Sequence, residues 1–434
     1  MKKFLLLAAL PAALAAQQPI PTDSLHPITL KEAIALAQQN APAAVAAEGQ
    51  IRTANAGVTS AYAAFIPSLS WSMSQRQSSG PRLGQDGTII QYLNPWSYSD
   101  GLNSNLTLFE GGRRFADLRT AKAGVKSAEA NEVAQKFGIA LNVKTQYYNV
   151  LAAEESESAA RAQLEQAQEQ LKVSVAKVTA GAATRSDSLR SAIQVSNARL
   201  ALLNAQTNRT VASAALTRLV ATPYLVTATA SDTLDQSIAP VDSALLSHLA
   251  QQAPSIRSAQ ASLTTAKAAY DATRSSYLPT ISVSYGRSGS GFDKYWGIGG
   301  GQLAYSKSLS FSLSFPIFDN WSRESQSVSA AVQVQNADAS LRDAELAAQQ
   351  SIVQYYTSLQ TLEEQIGIQQ QTIAAAQEDL RVQQQRYAVG ASTLLDVLTS
   401  QTALNQARVQ LIQYRLNYRT TKAQIEQLIG RDLE

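Results

Sequence analysis

Four short stretches of the chain alternate between oily and small polar side chains, and each interrupts a run with helical spacing. In residues 68–74, Leu69, Trp71 and Met73 share one face while Ser68, Ser70, Ser72 and Ser74 share the other. From 308 to 315, Leu309, Phe311, Leu313 and Phe315 oppose Ser308, Ser310, Ser312 and Ser314. Leu102, Leu106 and Leu108 oppose Asn103, Asn105 and Thr107, and Ile281, Val283 and Tyr285 oppose Ser282 and Ser284. This period of two predicts strands at about 68–79, 98–109, 280–290 and 305–317, each with one oily and one wet face.

The remainder reads as helix. A capping box, Thr29-x-x-Glu32, opens the first helix. A second runs from about Ala43 to Ala64, is matched by one from Ser255 to Ser276, and these stop ahead of Pro67 and Pro279. No proline occurs between Pro95 and Pro223, or after Pro316, and each of these spans predicts a long helix, a glycine-marked turn and a return helix. Arg113 to Val178 is 66 residues, about 99 Å of helix, and Trp321 to Tyr387 is 67. Ile352, Leu359, Ile366, Ile373, Leu380 and Tyr387 follow a seven-residue spacing, and Leu164, Leu171 and Val178 repeat it, so both spans predict coiled-coil-like packing. The charged residues of these helices read as solvated faces.

The two halves are one pattern written twice. At an offset of 212, "NAP" at 40 falls on "QAP" at 252 and "FIPSLS" at 65 on "YLPTIS" at 277. At 209, "LTLFEGGRR" at 106 falls on "FPIFDNWSR" at 315, and "GAATRSD" at 181 on "GASTLLD" at 390. The predicted organisation is a leader at 1–15, a first repeat at 16–222 and a second at 223–434. The first repeat carries a hairpin of long helices at about 113–220; the second carries helices at about 241–276 and a hairpin at about 321–430.

"MKKFLLLAALPAALAAQ" supplies the leader, with Lys2 and Lys3 ahead of a short apolar run and Ala13-Leu14-Ala15 as the cleavage site. Without those two lysines, 34 basic residues face 33 acidic ones, a balance that gives no electrostatic case for nucleic acid. The chain contains no cysteine. No mature segment reads as a transmembrane helix, so entry into a membrane has to be made by strands.

A soluble sandwich would give the same alternation. Against it stand the separated pairs, the lack of a partner sheet, and aromatics at the strand ends: Phe65, Trp96, Tyr98, Phe109, Tyr277, Tyr305, Phe318 and Trp321. Oily outsides, polar insides and aromatic ends suit an outer-membrane barrel. Four strands cannot close, so copies must pool them: two would give eight strands, three would give twelve and an open bore. The fold class expected is a mixed α and β membrane protein, its strands pooled in a barrel and its helices in a coiled-coil tunnel.

These features resemble the TolC-like outer-membrane channel proteins. The resemblance rests on "LKEAIALAQQNAP", the two proline-entered strand pairs, "LFEGGRR" launching a long helix, and "YAVGASTLLDVLTSQTALNQARVQLIQYRLNY" near the C-terminus. It implies a homotrimer with a twelve-stranded barrel in the outer membrane and a helical tunnel of roughly 100 Å through the periplasm. It further implies a periplasmic adaptor protein docked on the hairpin turns, at Val178, Gly181, Ala182, Thr184, Val389, Gly390, Ser392 and Thr393, and an inner-membrane transporter beyond it. The resemblance places Asp396 in an acidic ring that narrows the entrance, and Tyr387, Ser186 and Asp187 at positions that hold it closed. Thr399 stands where relatives carry a second Asp, and Ser392 where a basic partner is frequent. Three Asp396 carboxylates about 6 Å apart would repel by about 1–3 kcal/mol per pair.

No catalytic or metal-binding constellation stands out, and no cofactor is implied. The only histidines are His26 and His248; His248 aligns with Leu36 and reads as a helix-packing residue. "GFDKYWGIGGGQ" lacks the ending of a P-loop and leads into a strand, so it reads as an external loop. The function expected is an exit duct of a tripartite efflux system for small molecules. The alternatives are a duct for a secreted protein, or a trimeric adhesin or surface fibre.

Overall fold

The computed structural model describes residues 25–83, 86–90, 96–229, 248–293 and 303–433. The expected leader, part of the 241–276 helical span and most of the glycine-rich loop lie outside the described residues.

The chain runs β1 (His26–Ile28), α1 (Leu30–Asn40), α2 (Pro42–Ala63), β2 (Ser68–Gln77), β3 (Arg82–Leu83), β4 (Ile89–Ile90), β5 (Trp96–Glu110), α3 (Arg113–Thr179) and α4 (Arg185–Val220). The second half continues with β6 (Val226–Ala228), α5 (Pro254–Thr273), a 3-10 turn (Arg274–Tyr277), β7 (Thr280–Asp293), β8 (Ala304–Ser314), α6 (Ser322–Ala388) and α7 (Leu394–Ile429).

The four long strands form one antiparallel sheet in the order β2-β5-β7-β8, leaving β2 and β8 as its edges. Serines stack across the polar face, with Oγ–Oγ distances of 2.7 Å for Ser74–Ser99, 2.7 Å for Ser282–Ser312 and 2.9 Å for Ser288–Ser306. The opposite face exposes Leu69, Trp71, Leu309, Phe311 and Leu313, as a membrane-facing surface requires. A bulge between Thr107 and Phe109 gives Phe109 the register position opposite Ile281 that strict alternation assigned to Leu108.

Each strand pair leaves the sheet through the same elbow. Gly111 and Gly112 adopt φ values of 64° and 80°, and Asn320 and Trp321, their counterparts at the 209 offset, adopt 56° and 62°. Gly111 is required twice over: a Cβ there would lie 2.5 Å from the Ser275 carbonyl oxygen and 2.8 Å from Leu278 Cβ. An ion pair straddles each turn, Arg114 to Glu110 at 3.4 Å and Arg323 to Asp319 at 3.0 Å. Each arginine also lies over an aromatic ring that precedes the neighbouring strand, Arg114 on Phe65 at 5.6 Å and Arg323 on Tyr277 at 5.2 Å.

Beyond the elbows, α3 and α6 are 67 residues each, about 100 Å long, while their return helices α4 and α7 are 36. The short helices cover the remaining length: α2 and α5 pack on α3, and α5 also packs on α6. In the second hairpin Ile352, Leu359, Ile366, Leu380 and Tyr387 are buried against Val397, Leu404, Leu411, Tyr418 and Ile425, two series at seven-residue spacing. The first hairpin departs from the expected Leu164, Leu171 and Val178 series, which is only partly buried. Toward the turn its seam is Ala167 and Ser174 against Ser191, Ala198 and Ala205, with the Ser174 and Ser191 hydroxyls 2.8 Å apart. Small residues let these helices approach closely, so the larger side chains are left at the margins.

A core at mid-height forms where β1 pairs in parallel with β6 beside α1, α3 and α4. Tyr147 lies at its centre, donating through Oη to the Ile28 carbonyl oxygen (3.1 Å) and accepting from the Thr229 amide (3.2 Å). Not every charge on the long helices is solvated. Lys144 is buried and reaches Glu426 at 2.6 Å and Asp432 at 2.5 Å, tying α3 to the end of α7. Burial acts to lower the Lys144 pKa, but the Asp432 and Glu426 carboxylates outweigh it and raise it. Glu157 and Arg419 are buried as well. His248, expected to pack a helix, is exposed; its neighbours Leu249 and Ala250 carry the packing.

Gly111→Ala is expected to lower the thermal stability of the assembled protein clearly more than Gly112→Ala, whose added Cβ meets nothing within 4 Å. Thermal melts of the two variants check this, since both share the cost of left-handed backbone, about 1–2 kcal/mol, and only one adds a clash.

Candidate functional site

The residues singled out at the far ends of the hairpins gather around two turns built alike. In the first, Gly181 at φ 72° ends α3, with Ala182 N–H donating to the Lys177 carbonyl (2.8 Å) and Gly181 N–H to that of Val178 (3.0 Å). In the second, Gly390 at φ 78° ends α6, with Ala391 N–H donating to Arg386 (2.8 Å) and Gly390 N–H to Tyr387 (3.2 Å). This paired bonding closes a helix on a left-handed residue and satisfies its last carbonyls.

The next helix starts with a threonine in each case. Thr184 caps α4, and Asp187 Oδ2 accepts from its amide (3.0 Å) and hydroxyl (2.9 Å). Thr393 caps α7 by the same device, with Asp396 Oδ2 accepting from Thr393 N (2.8 Å), Thr393 Oγ1 (2.7 Å) and Ser392 Oγ (3.3 Å). Both aspartates therefore brace their own turns, at helix N-termini where a negative charge is favoured. The Thr393 amide and then the Thr393 hydroxyl hold the Asp396 carboxyl below its ordinary range, with Ser392 and Arg386 assisting. Ser186 lies exposed in the first turn of α4, and Ala182, Thr184 and Val389 are exposed as well. Thr399 donates to its own helix, to the Leu395 carbonyl at 2.9 Å.

Tyr387 is placed differently. Its ring is buried with Leu380, Leu394, Val397 and Leu404 in a small core that closes the second hairpin. Lys177, from the end of α3, lies 4.1 Å from the ring centroid and donates to the Tyr387 carbonyl oxygen. One cation on the first hairpin thus grips the aromatic end of the second. The sequence reading missed Lys177; the available signal was the repeat itself, because the 209 offset sets Lys177 on Arg386, each four residues before its turn glycine. Nearby, Ser400 donates to Asp379 Oδ2 at 2.5 Å and pins α7 to α6.

Among the described residues, no group of three or more His, Cys, Asp or Glu could hold a metal ion, and no helix is long and apolar enough to cross a membrane. The turns present the exposed Asp396 carboxylate, the half-buried Asp187 carboxylate and the exposed hydroxyls of Thr184, Ser186 and Thr393.

The profile of the family described as "Outer membrane efflux protein" matches residues 33–222 and 245–431, one segment in each half of the chain. The chain is 28% identical over 418 residues to Protein CyaE of Bordetella pertussis, covering 93% of this chain and 84% of that protein. It is 27% identical over 385 residues to the pyoverdine export outer membrane protein OpmQ of Pseudomonas aeruginosa, covering 86% and 78%. The fold matches the outer membrane protein VceC of Vibrio cholerae with a TM-score of 0.72 at 20% identity, covering 93% of this chain and 97% of that one.

The cap geometry sets a pH expectation. A carboxyl whose folded pKa is depressed supports its turn above the unfolded value, about 3.9, and releases it as pH falls through the depressed value. The Asp396 carboxylate is expected to titrate below that range, and Thr393→Val to move it upward, as read by carbon NMR of a labelled Asp396.

Proposed function

The chain belongs to the outer membrane efflux protein family, and from that premise we propose that it is the exit duct of a tripartite efflux assembly for small molecules. Proteins of this family are channels and not enzymes; they sit in the outer membrane, extend into the periplasm, and work as homotrimers with periplasmic adaptor proteins and inner-membrane transporters. The observation that carries the reading is the continuity of a half-oily, half-polar sheet with helix hairpins about 100 Å long. Three such sheets supply twelve strands, enough for an open bore lined by serine. Small cargo is favoured by the likeness to OpmQ, a protein named for pyoverdine export.

In this reading the transporter supplies the energy and the duct is passive. The adaptor docks on the turns around Gly181 and Gly390, where Val178, Ala182, Thr184, Val389, Ser392 and Thr393 provide the surface. Asp396 narrows the entrance and draws cations to it. Tyr387, Ser186 and Asp187 form the closure, and Lys177 is the cation that keeps the two hairpins together.

Single-channel recording in a planar bilayer tests the duct. Wild type is expected to show small cation-selective openings, Lys177→Gln larger ones, and Asp396→Ala a loss of selectivity. No conductance from a verified trimer would return a surface-fibre reading. A deletion strain tests the cargo. Sensitivity to small toxic compounds is expected; normal resistance combined with loss of a secreted protein would make the cargo a protein.

A further inference from the structure

The lipid-facing side of the sheet carries two cations whose placement hydrocarbon alone does not explain. The register aligns Trp71, Leu102, Arg287 and Lys307 in one row across the four strands. The rows nearer the helices are uncharged and mostly oily, with Leu69, Ser104, Tyr285 and Leu309, then Leu106, Val283 and Phe311, then Phe109, Ile281 and Leu313. Alternation puts Arg287 and Lys307 on this same face, because each lies an even number of residues from those neighbours.

Directly opposed positions on paired strands hold their Cβ atoms about 5 Å apart, and like charges there are destabilising. Neither side chain forms an ion pair among the described residues. Arg287 instead lies 4.1 Å from the ring of Tyr305, which stands across from Gly289. A Cβ on Gly289 would be 2.7 Å from Tyr305 Cε1, so the glycine lets the ring lie down beside the guanidinium. Asp100 shares that outer row, leaving one carboxylate against two cations.

Depth decides what can answer the remaining charge. Lys307 is eight residues outward of Phe315, roughly 20 Å along a strand tilted by 45°. Since the apolar band of such barrels is about 25 Å tall, the row falls near its outer rim, where cations on the lipid face are tolerated. Phosphates of lipid headgroups lie at that level, and an arginine fork with a lysine point charge is a suitable cradle for one.

We propose that Arg287 and Lys307, with Tyr305 holding the guanidinium in place, bind the phosphate of a lipid headgroup in the outer leaflet of the outer membrane. Each protomer carries one site, and its occupant neutralises the cation pair. The inference rests on the outer-membrane location alone and is independent of the cargo.

Native mass spectrometry of the full-length trimer, incubated with lipid A bearing two, one or no phosphates, tests the site. Wild type is expected to retain the phosphorylated forms, with retention falling on the order of tenfold when both phosphates are removed. An Arg287→Gln/Lys307→Gln variant should lose the same preference, while Lys172→Gln, far from the barrel, should keep it. Should the double variant fail to assemble, the phosphate series on wild type decides alone, and Arg287→Lys is expected to retain binding. Equal retention of dephosphorylated lipid A, unchanged preference in the double variant, or full displacement by inorganic phosphate would overturn the proposal.

Discussion

A strand edge inside hydrocarbon has no water to satisfy it, and each unpaired backbone group there costs several kcal/mol. This constraint governs the rest of the molecule. The four-stranded sheet ends in two such edges, β2 and β8, and nothing within the described chain covers either. Pooling strands between copies removes the edges, and the duplicated sequence prepares for it: if β5 pairs with β7 inside one chain, their counterparts β8 and β2 can pair between chains. Adding the two offsets to the observed Asn103–Gly286 pair sets Ser312 (103 plus 209) opposite Ser74 (286 minus 212) of the next copy.

The same constraint shapes the exit from the membrane. Backbone that is strand in lipid becomes helix in water within a few residues, and both elbows accomplish this with consecutive left-handed residues, an ion pair and an arginine laid on an aromatic ring. The halves then diverge. Toward its turn the second hairpin closes on large side chains, Leu and Tyr, while the first closes there on Ala and Ser and keeps its large side chains, Tyr147, Leu216 and Val220, for the core at mid-height. Lys177 spans the boundary between them where both end.

The fold class could be read because its two signals are strong and local. Serine against Leu, Trp and Phe at period two marks strands whichever partner they meet, and the Ile352 to Tyr387 series marks a helical seam. The first hairpin was misread because its seam consists of Ala167, Ser174, Ser191, Ala198 and Ala205, residues with no hydrophobic contrast to detect. The β1–β6 pair was invisible, since three-residue strands some 200 residues apart carry no periodicity of their own. Lys144 looked solvated because Glu426 and Asp432 lie 282 and 288 residues away in sequence. At the turns, the glycines and threonines were legible from turn chemistry; the grip of Lys177 on Tyr387 was not, because only the packing of one hairpin on the other creates it.

Closure of the barrel by three copies is the central claim, and the absence of cysteine makes it directly accessible. The measurement is oxidative cross-linking of a Ser74→Cys/Ser312→Cys variant in membranes, read on a denaturing gel beside each single variant. A closed trimer gives a ladder that stops at three chains in the double variant and no ladder in either single one. Monomers throughout, or a ladder running past three, would contradict it.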